Sequence, residues 1–164
     1  MSKAGHVRIV LFATLIQIFT SVSLAVSFPA SPHSQMTPGS LCESPTEYRY
    51  PEQIPYCERE VDSELKWEVI RRYNSQLGYS ITPEVRNRFK IDHFIPLCMG
   101  GSNNVDNLWP QHESVFSRTD ILESTACEKM KEGRLLQRDA VELIRQAKLD
   151  TKQVSAVLKR IMAY

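Results

Sequence analysis

Four cysteines, Cys42, Cys57, Cys98 and Cys127, follow an apolar run near the start of the chain, and this pairing of features limits the folds open to it. A zinc site built on cysteine needs closely spaced ligands in the manner of Cys-x2-Cys, and no two of these cysteines are that close. An even count behind an export signal reads instead as two disulfides, for which four cysteines allow three pairings. The export signal is itself legible. Lys3 and Arg8 form a basic start, Ile9 to Val26 ("IVLFATLIQIFTSVSLAV") is apolar, and Ser23 and Ala25 are the small pair that a signal peptidase reads.

An uncleaved anchor is the rival reading of that run. It is only about as long as the shortest spanning helix, and Thr14, Gln17, Thr20, Ser21 and Ser23 dilute it. The expectation is therefore a signal peptide over residues 1–25, a secreted or periplasmic protein, and no stable membrane association after cleavage. Removing the leader takes Lys3 and Arg8 from 20 basic residues, leaving 18 against 19 acidic ones. A near-neutral chain gives no global support for nucleic-acid binding, so any such case rests on local chemistry.

With 164 residues there is room for one domain. Residues 26–41 are rich in Pro, Ser and Gly and read as a flexible mature N-terminus. Residues 42–61 read as an irregular lead-in, and the domain proper is expected over 42–164. Leu65, Val69, Tyr73 and Leu77 recur every four residues from Asp62 and stop at Gly78, the pattern of an amphipathic helix. A β-prone stretch from Phe89 to Ile95 ends at Pro96, and a polar loop runs from Gly100 to Asn107. Helices are expected after Pro110, with Val115, Thr119, Leu122, Ala126 and Met130 on one face, then over Leu136–Ala147, then over Val154–Ile161. The resulting class is α+β and helix-rich. The pairing expected of the cysteines is Cys42 with Cys57, closing the lead-in, and Cys98 with Cys127, tying the central loop to the helix behind it.

Within this frame, "KIDHFIPLCMGGSNNVDNLWPQH" (Lys90 to His112) does not read as a plain core strand. Asp92 and His93 are adjacent in it, and a Gly-Gly pair permits positive φ and close backbone approach. Hydrolytic chemistry needs an activated water, relief of developing charge and help for the leaving group. A neutral imidazole takes a proton near pH 7, which makes His93 a candidate base. A divalent cation relieves negative charge, and Asp92 is a hard oxygen ligand for one. Adjacent strand residues point to opposite faces, so the two serve one site only where the strand ends or bends. Alone, His93 would read as a satisfied core histidine, Asn107 as a turn cap, and Trp109 as a core anchor rather than a base-stacking platform. Arg86, Arg88 and Lys90 cluster before the strand and are candidate phosphate contacts or an ordinary solvated lead-in.

The order Asp-His-x-Ile-Pro-Leu, Gly-Gly, Asn-Leu within "IDHFIPLCMGGSNNVDNLWP" resembles the HNH nuclease motif, and "YCEREV", "TDILE" and "CEKM" resemble flanking parts of small secreted bacterial HNH proteins. The resemblance covers roughly residues 57–147. It implies a ββα-metal motif, stapled here by disulfides, and an exported metal-dependent endonuclease with little sequence preference. DNA is favoured over RNA as its partner, and Mg2+ over Mn2+ or Zn2+ as its single ion. It implies that Asp92 binds the metal, His93 activates water, and Asn107 braces the loop against the active strand. His112 is the best match to the third motif position and would complete the metal site, with Glu113 and Asp120 as alternatives. Relatives carry an Asn and a Lys further along the helix where this chain has Val115 and Thr119; Arg118 is the candidate substitute for the Lys. The rival readings are an exported HNH-fold protein that binds without cleaving, and a disulfide-stapled partner-binding domain.

Overall fold

The computed structural model describes residues 28–164, so the leader expected over 1–25 lies outside the described residues. Among those described, no helix is long and apolar enough to cross a membrane. The chain forms an α+β fold, about half helical, with two small two-stranded sheets. The strands are β1 (Glu47–Arg49), β2 (Ile54–Tyr56), β3 (Phe89–His93) and β4 (Leu108–His112). The helices are α1 (Ser63–Leu77), α2 (Glu113–Lys131), α3 (Gln137–Leu149) and α4 (Val154–Met162).

Local chemistry explains the helix limits. The Asp62 carboxylate accepts a hydrogen bond from Leu65 N at 2.8 Å and caps α1, and Gly78 ends it at a φ of 73°. The buried face of α2 is Val115, Thr119, Leu122, Ala126 and Met130, the set its periodicity predicts. In α3 the interior residues are Ala140, Leu143, Ile144, Ala147 and also Lys148, whereas Leu136 lies outside the helix and is exposed. These helices bury two apolar clusters. One gathers α2, α3 and α4 around Ile54, Ile95 and Met99; the other packs α1 against Phe89, Ile91, Leu108 and Trp109.

Three expectations need correction. The helix expected after Pro110 begins at Glu113, because Leu108–His112 pairs antiparallel with β3, Phe89 opposite His112 and His93 opposite Leu108. A strand in a two-stranded sheet keeps one free edge, which tolerates the missing N–H of Pro110. The lead-in is not wholly irregular: β1 and β2 form a hairpin, with Tyr50 and Gln53 at positive φ in its turn. Residues 28–41 are packed rather than free. Met36 and Thr37 are buried, and Thr37 Oγ1 donates to Leu108 O at 3.1 Å and lies 2.8 Å from the Tyr73 hydroxyl. Cys42 N donates to Gly100 O at 2.8 Å, joining this segment to the central loop.

Both expected disulfides are present, Cys42–Cys57 and Cys98–Cys127, and they fit an oxidising compartment.

Candidate functional site

β3 ends at His93, and the central loop folds back over it. Asn107 makes that return rigid. Its Oδ1 accepts from Ile95 N at 2.8 Å, and its Nδ2 donates to Ile95 O at 3.0 Å and Ser102 O at 2.9 Å. The side chain is fully buried, so all three bonds replace water rather than compete with it. The two glycines have different tasks. Gly100 takes a φ of 80°, whereas a Cβ on Gly101 would lie 1.8 Å from Ile95 O and 3.0 Å from Asn107 Nδ2. The backbone there can approach Ile95 and Asn107 this closely only as glycine.

His93 is almost completely buried, and both ring nitrogens are engaged. Arg59 Nη1 lies 3.1 Å from Nδ1, and Asn103 Oδ1 lies 3.0 Å from Nε2. A guanidinium can only donate, so Nδ1 accepts and Nε2 carries the proton. The Asn103 amide is oriented by its own bond from Nδ2 to Glu58 O at 2.7 Å. Arg59 also donates to Ile91 O at 3.0 Å. Burial, first, and the charge of Arg59 push the His93 pKa down to about 4, against an upward pull from Asn103; the ring is neutral at pH 7. Arg59 and Asn103 line a cleft of about 260 Å³ together with Ser44, Thr46, Cys57, Glu58 and Glu60.

Asp92 points elsewhere. Lys148 Nζ, wholly buried, donates to Asp92 Oδ2 at 2.7 Å and to His93 O at 2.5 Å, and lies 2.7 Å from Glu123 Oε1. Lys90 Nζ stands 3.3 Å from Asp92 Oδ1 and 2.6 Å from Asp120 Oδ1. Burial would raise the Asp92 pKa, but Lys148 and Lys90 outweigh it and hold the carboxyl below its ordinary range. Burial also dominates at Glu123, pushing its pKa up to about 7 against the pull of Lys148. Asp92 and Glu123 in turn keep the Lys148 ammonium charged despite its burial.

The remaining expected site residues do not join Asp92 and His93. His112 pairs with Phe89, four strand residues from His93, or about 13 Å along the strand. Its ring stacks on Phe28 at 3.9 Å, and its Nδ1 accepts from Ser114 N at 3.2 Å, capping α2. Glu113 pairs with Arg88 at 2.8 Å, and Asp120 reaches Asp92 only through Lys90. Arg86 donates to Phe89 O, and Arg118 donates to Thr151 O at 2.7 Å. Arg86, Arg88, Lys90 and Arg118 thus all have protein partners, and Arg118 bonds away from Asp92. The ammonium that meets Asp92 from inside the fold is Lys148 on α3, while Thr119 bonds Gln111.

Arg59, Asn103, Glu123 and Lys148 were not singled out by the sequence reading. A signal existed for two of them. Lys148 follows Ala140, Ile144 and Ala147 on the buried face of α3, and Glu123 flanks Leu122 and Ala126 at the edge of that of α2. A charge inside an apolar period is informative. Arg59 carried only the weak signal of "YCEREV".

The resemblance implies a divalent ion at Asp92, and this donor set does not fit one. Both carboxylate oxygens face ammonium groups, and Glu123, the next carboxylate, shares Lys148 with Asp92. Among the described residues no three His, Cys, Asp or Glu side chains gather into a metal-binding group. The chain matches no protein-family model, no curated protein and no solved structure.

Proposed function

We propose that the chain is an exported endonuclease of the HNH type that hydrolyses phosphodiester bonds in nucleic acid, DNA before RNA, with little sequence preference. The observation that carries this reading is a neutral imidazole at the end of β3, braced by Asn107 across the loop and bonded to Arg59 at the edge of a cleft.

A phosphate entering the cleft competes for Arg59, because charge-assisted pairing of guanidinium with phosphate is stronger than its bond to a neutral nitrogen. Release of Arg59 frees the lone pair on His93 Nδ1. The same event offsets the charge of Arg59 with that of the phosphate, which raises the imidazole pKa towards the range where it accepts a proton from water. Nε2–H stays on Asn103 and holds the ring in place. Arg59 then opposes the charge that develops on the phosphorane as the P–O bond to water forms and the ester P–O bond breaks, the leaving oxygen taking its proton from solvent.

Two observations favour a second reading, an HNH-fold protein that binds its partner without cleaving it. Glu58 and Glu60 line the cleft beside Arg59, which weakens its pull on a polyanion, and Asp92 is tied to Lys148. A plasmid-cleavage time course on disulfide-bonded protein, run with Mg2+, with Mn2+ and with EDTA, separates the readings. Cleavage that is lost in Arg59→Ala and partly kept in Arg59→Lys supports the nuclease. Binding without cleavage in every condition supports the second reading.

A further inference from the structure

Lys148 is wholly buried and meets two carboxylates and a backbone carbonyl. We infer that its ammonium is the resident cation of the Asp92 carboxylate, taking the place a divalent ion would need and fixing the end of β3 at His93 without metal. The inference concerns Asp92 and does not depend on nucleic acid being the substrate.

The argument begins with donors. An ammonium has three N–H groups and no acceptor. Here two of them bond Asp92 Oδ2 and His93 O, and Glu123 Oε1 supplies a third contact at 2.7 Å. One nitrogen thus joins the carboxylate of one residue, the carbonyl of the next and a carboxylate from α2. An ion at Asp92 would orient the carboxylate in a similar way, but Lys148 also holds the backbone that carries the His93 ring.

Charge makes the same point. Asp92 and Glu123 bring two carboxylates to the pocket, Lys148 balances one, and Lys90 stands against Asp92 from the outer side while bonding Asp120. Adding a divalent ion would crowd it against two ammonium groups. Displacing Lys148 to make room would leave its charge unpaired among Ala140, Leu143, Ile144 and Ala147, where water cannot replace the lost partners. Covalent geometry offers the ammonium little escape, because α3 is packed on this face. Lys148 is accordingly a positioning residue: it acts on the candidate base through the strand that carries it.

The test is Mn2+ binding, followed by the paramagnetic signal of the free ion, on the full disulfide-bonded protein. Wild type should bind no Mn2+ at Asp92 with a Kd below about 1 mM, and Asp92→Asn should leave the titration unchanged. Lys148→Met keeps the length of the side chain and removes the charge, leaving Glu123 without its cation and Asp92 with Lys90 alone. This variant should gain at least tenfold in Mn2+ affinity, and the gain should vanish in Lys148→Met/Asp92→Asn. Tight Mn2+ binding in wild type that disappears in Asp92→Asn overturns the inference, whether or not the Lys148 variant folds. A folded Lys148→Met protein with no gain overturns it as well. The nuclease reading fails separately, by absence of cleavage in every metal condition, and that result leaves the resident cation standing.

Discussion

Asp92 and His93 are neighbours in sequence, yet they inhabit opposite kinds of environment. The His93 ring is neutral, bonded by uncharged or donor groups, and one residue away from a cleft through Arg59 and Asn103. The Asp92 carboxylate is charged, enclosed and locked by an ammonium from another helix. The contrast follows from the strand itself, whose side chains alternate between faces. It teaches that a paired motif does not guarantee a shared site: one member is bonded to two residues that line a cleft, and the other meets the packing between β3, α2 and α3.

The sharpest way to break that contrast is on the His93 side. If His93 is the base, His93→Ala should lower the cleavage rate by about 10²–10⁴-fold, while thermal unfolding shows the fold retained. A fully active variant would end the division of labour. On the other side, Lys148→Ala leaves Glu123 without its cation and Asp92 with Lys90 alone, and should destabilise the protein by about 3–5 kcal/mol, read from denaturant unfolding. A loss below about 1 kcal/mol, typical of an exposed pair, would mean that Asp92 is not enclosed as described.

Acidity separates the faces more finely. His93 has a folded pKa of about 4 against an ordinary 6.5, so its contribution to stability is present above pH 6.5 and is lost as pH falls towards 4. That contribution is on the order of 3 kcal/mol for a shift of this size. Glu123 runs the other way. Its folded pKa of about 7 lies above the ordinary 4.5, so its contribution is complete below pH 4.5 and is lost as pH rises through 7. The two should largely cancel in wild type between about pH 4.5 and 6.5. Glu123→Gln should expose stability that rises with pH, and His93→Gln stability that falls with it. Parallel profiles for the two variants would refute the assignment. The smallest effect belongs to the rim: breaking Arg88–Glu113 by Arg88→Ala should change unfolding free energy by no more than about 0.2–1 kcal/mol and leave cleavage unaltered, because this pair lies far along β3 from His93.

Periodicity and caps made much of the fold legible. α1 starts beside Asp62 and stops at Gly78 because both residues act locally, and the buried face of α2 follows its apolar spacing. β4 was not legible, since Pro110 is a poor strand residue until the partner strand and its free edge are known. The β1–β2 hairpin has three-residue strands, too short for alternation to show. At the site, the bracing by Asn107 was expected from the resemblance, whereas the residues alone suggested a turn cap; the bond it makes spans only twelve residues. His112 was misjudged because its distance from Asp92 depends on sheet register, which sequence spacing does not contain. Lys148 bonds a residue 56 positions away, and no local pattern encodes that meeting.

That separation makes the central motif depend on the end of the chain. Lys148 reaches Asp92 and the carbonyl of His93 from α3. A chain cut before residue 148 would keep every residue from Lys90 to His112 and lose the cation that ties the end of β3. The C-terminal helices are thus part of how the motif is built, not an appendage behind it.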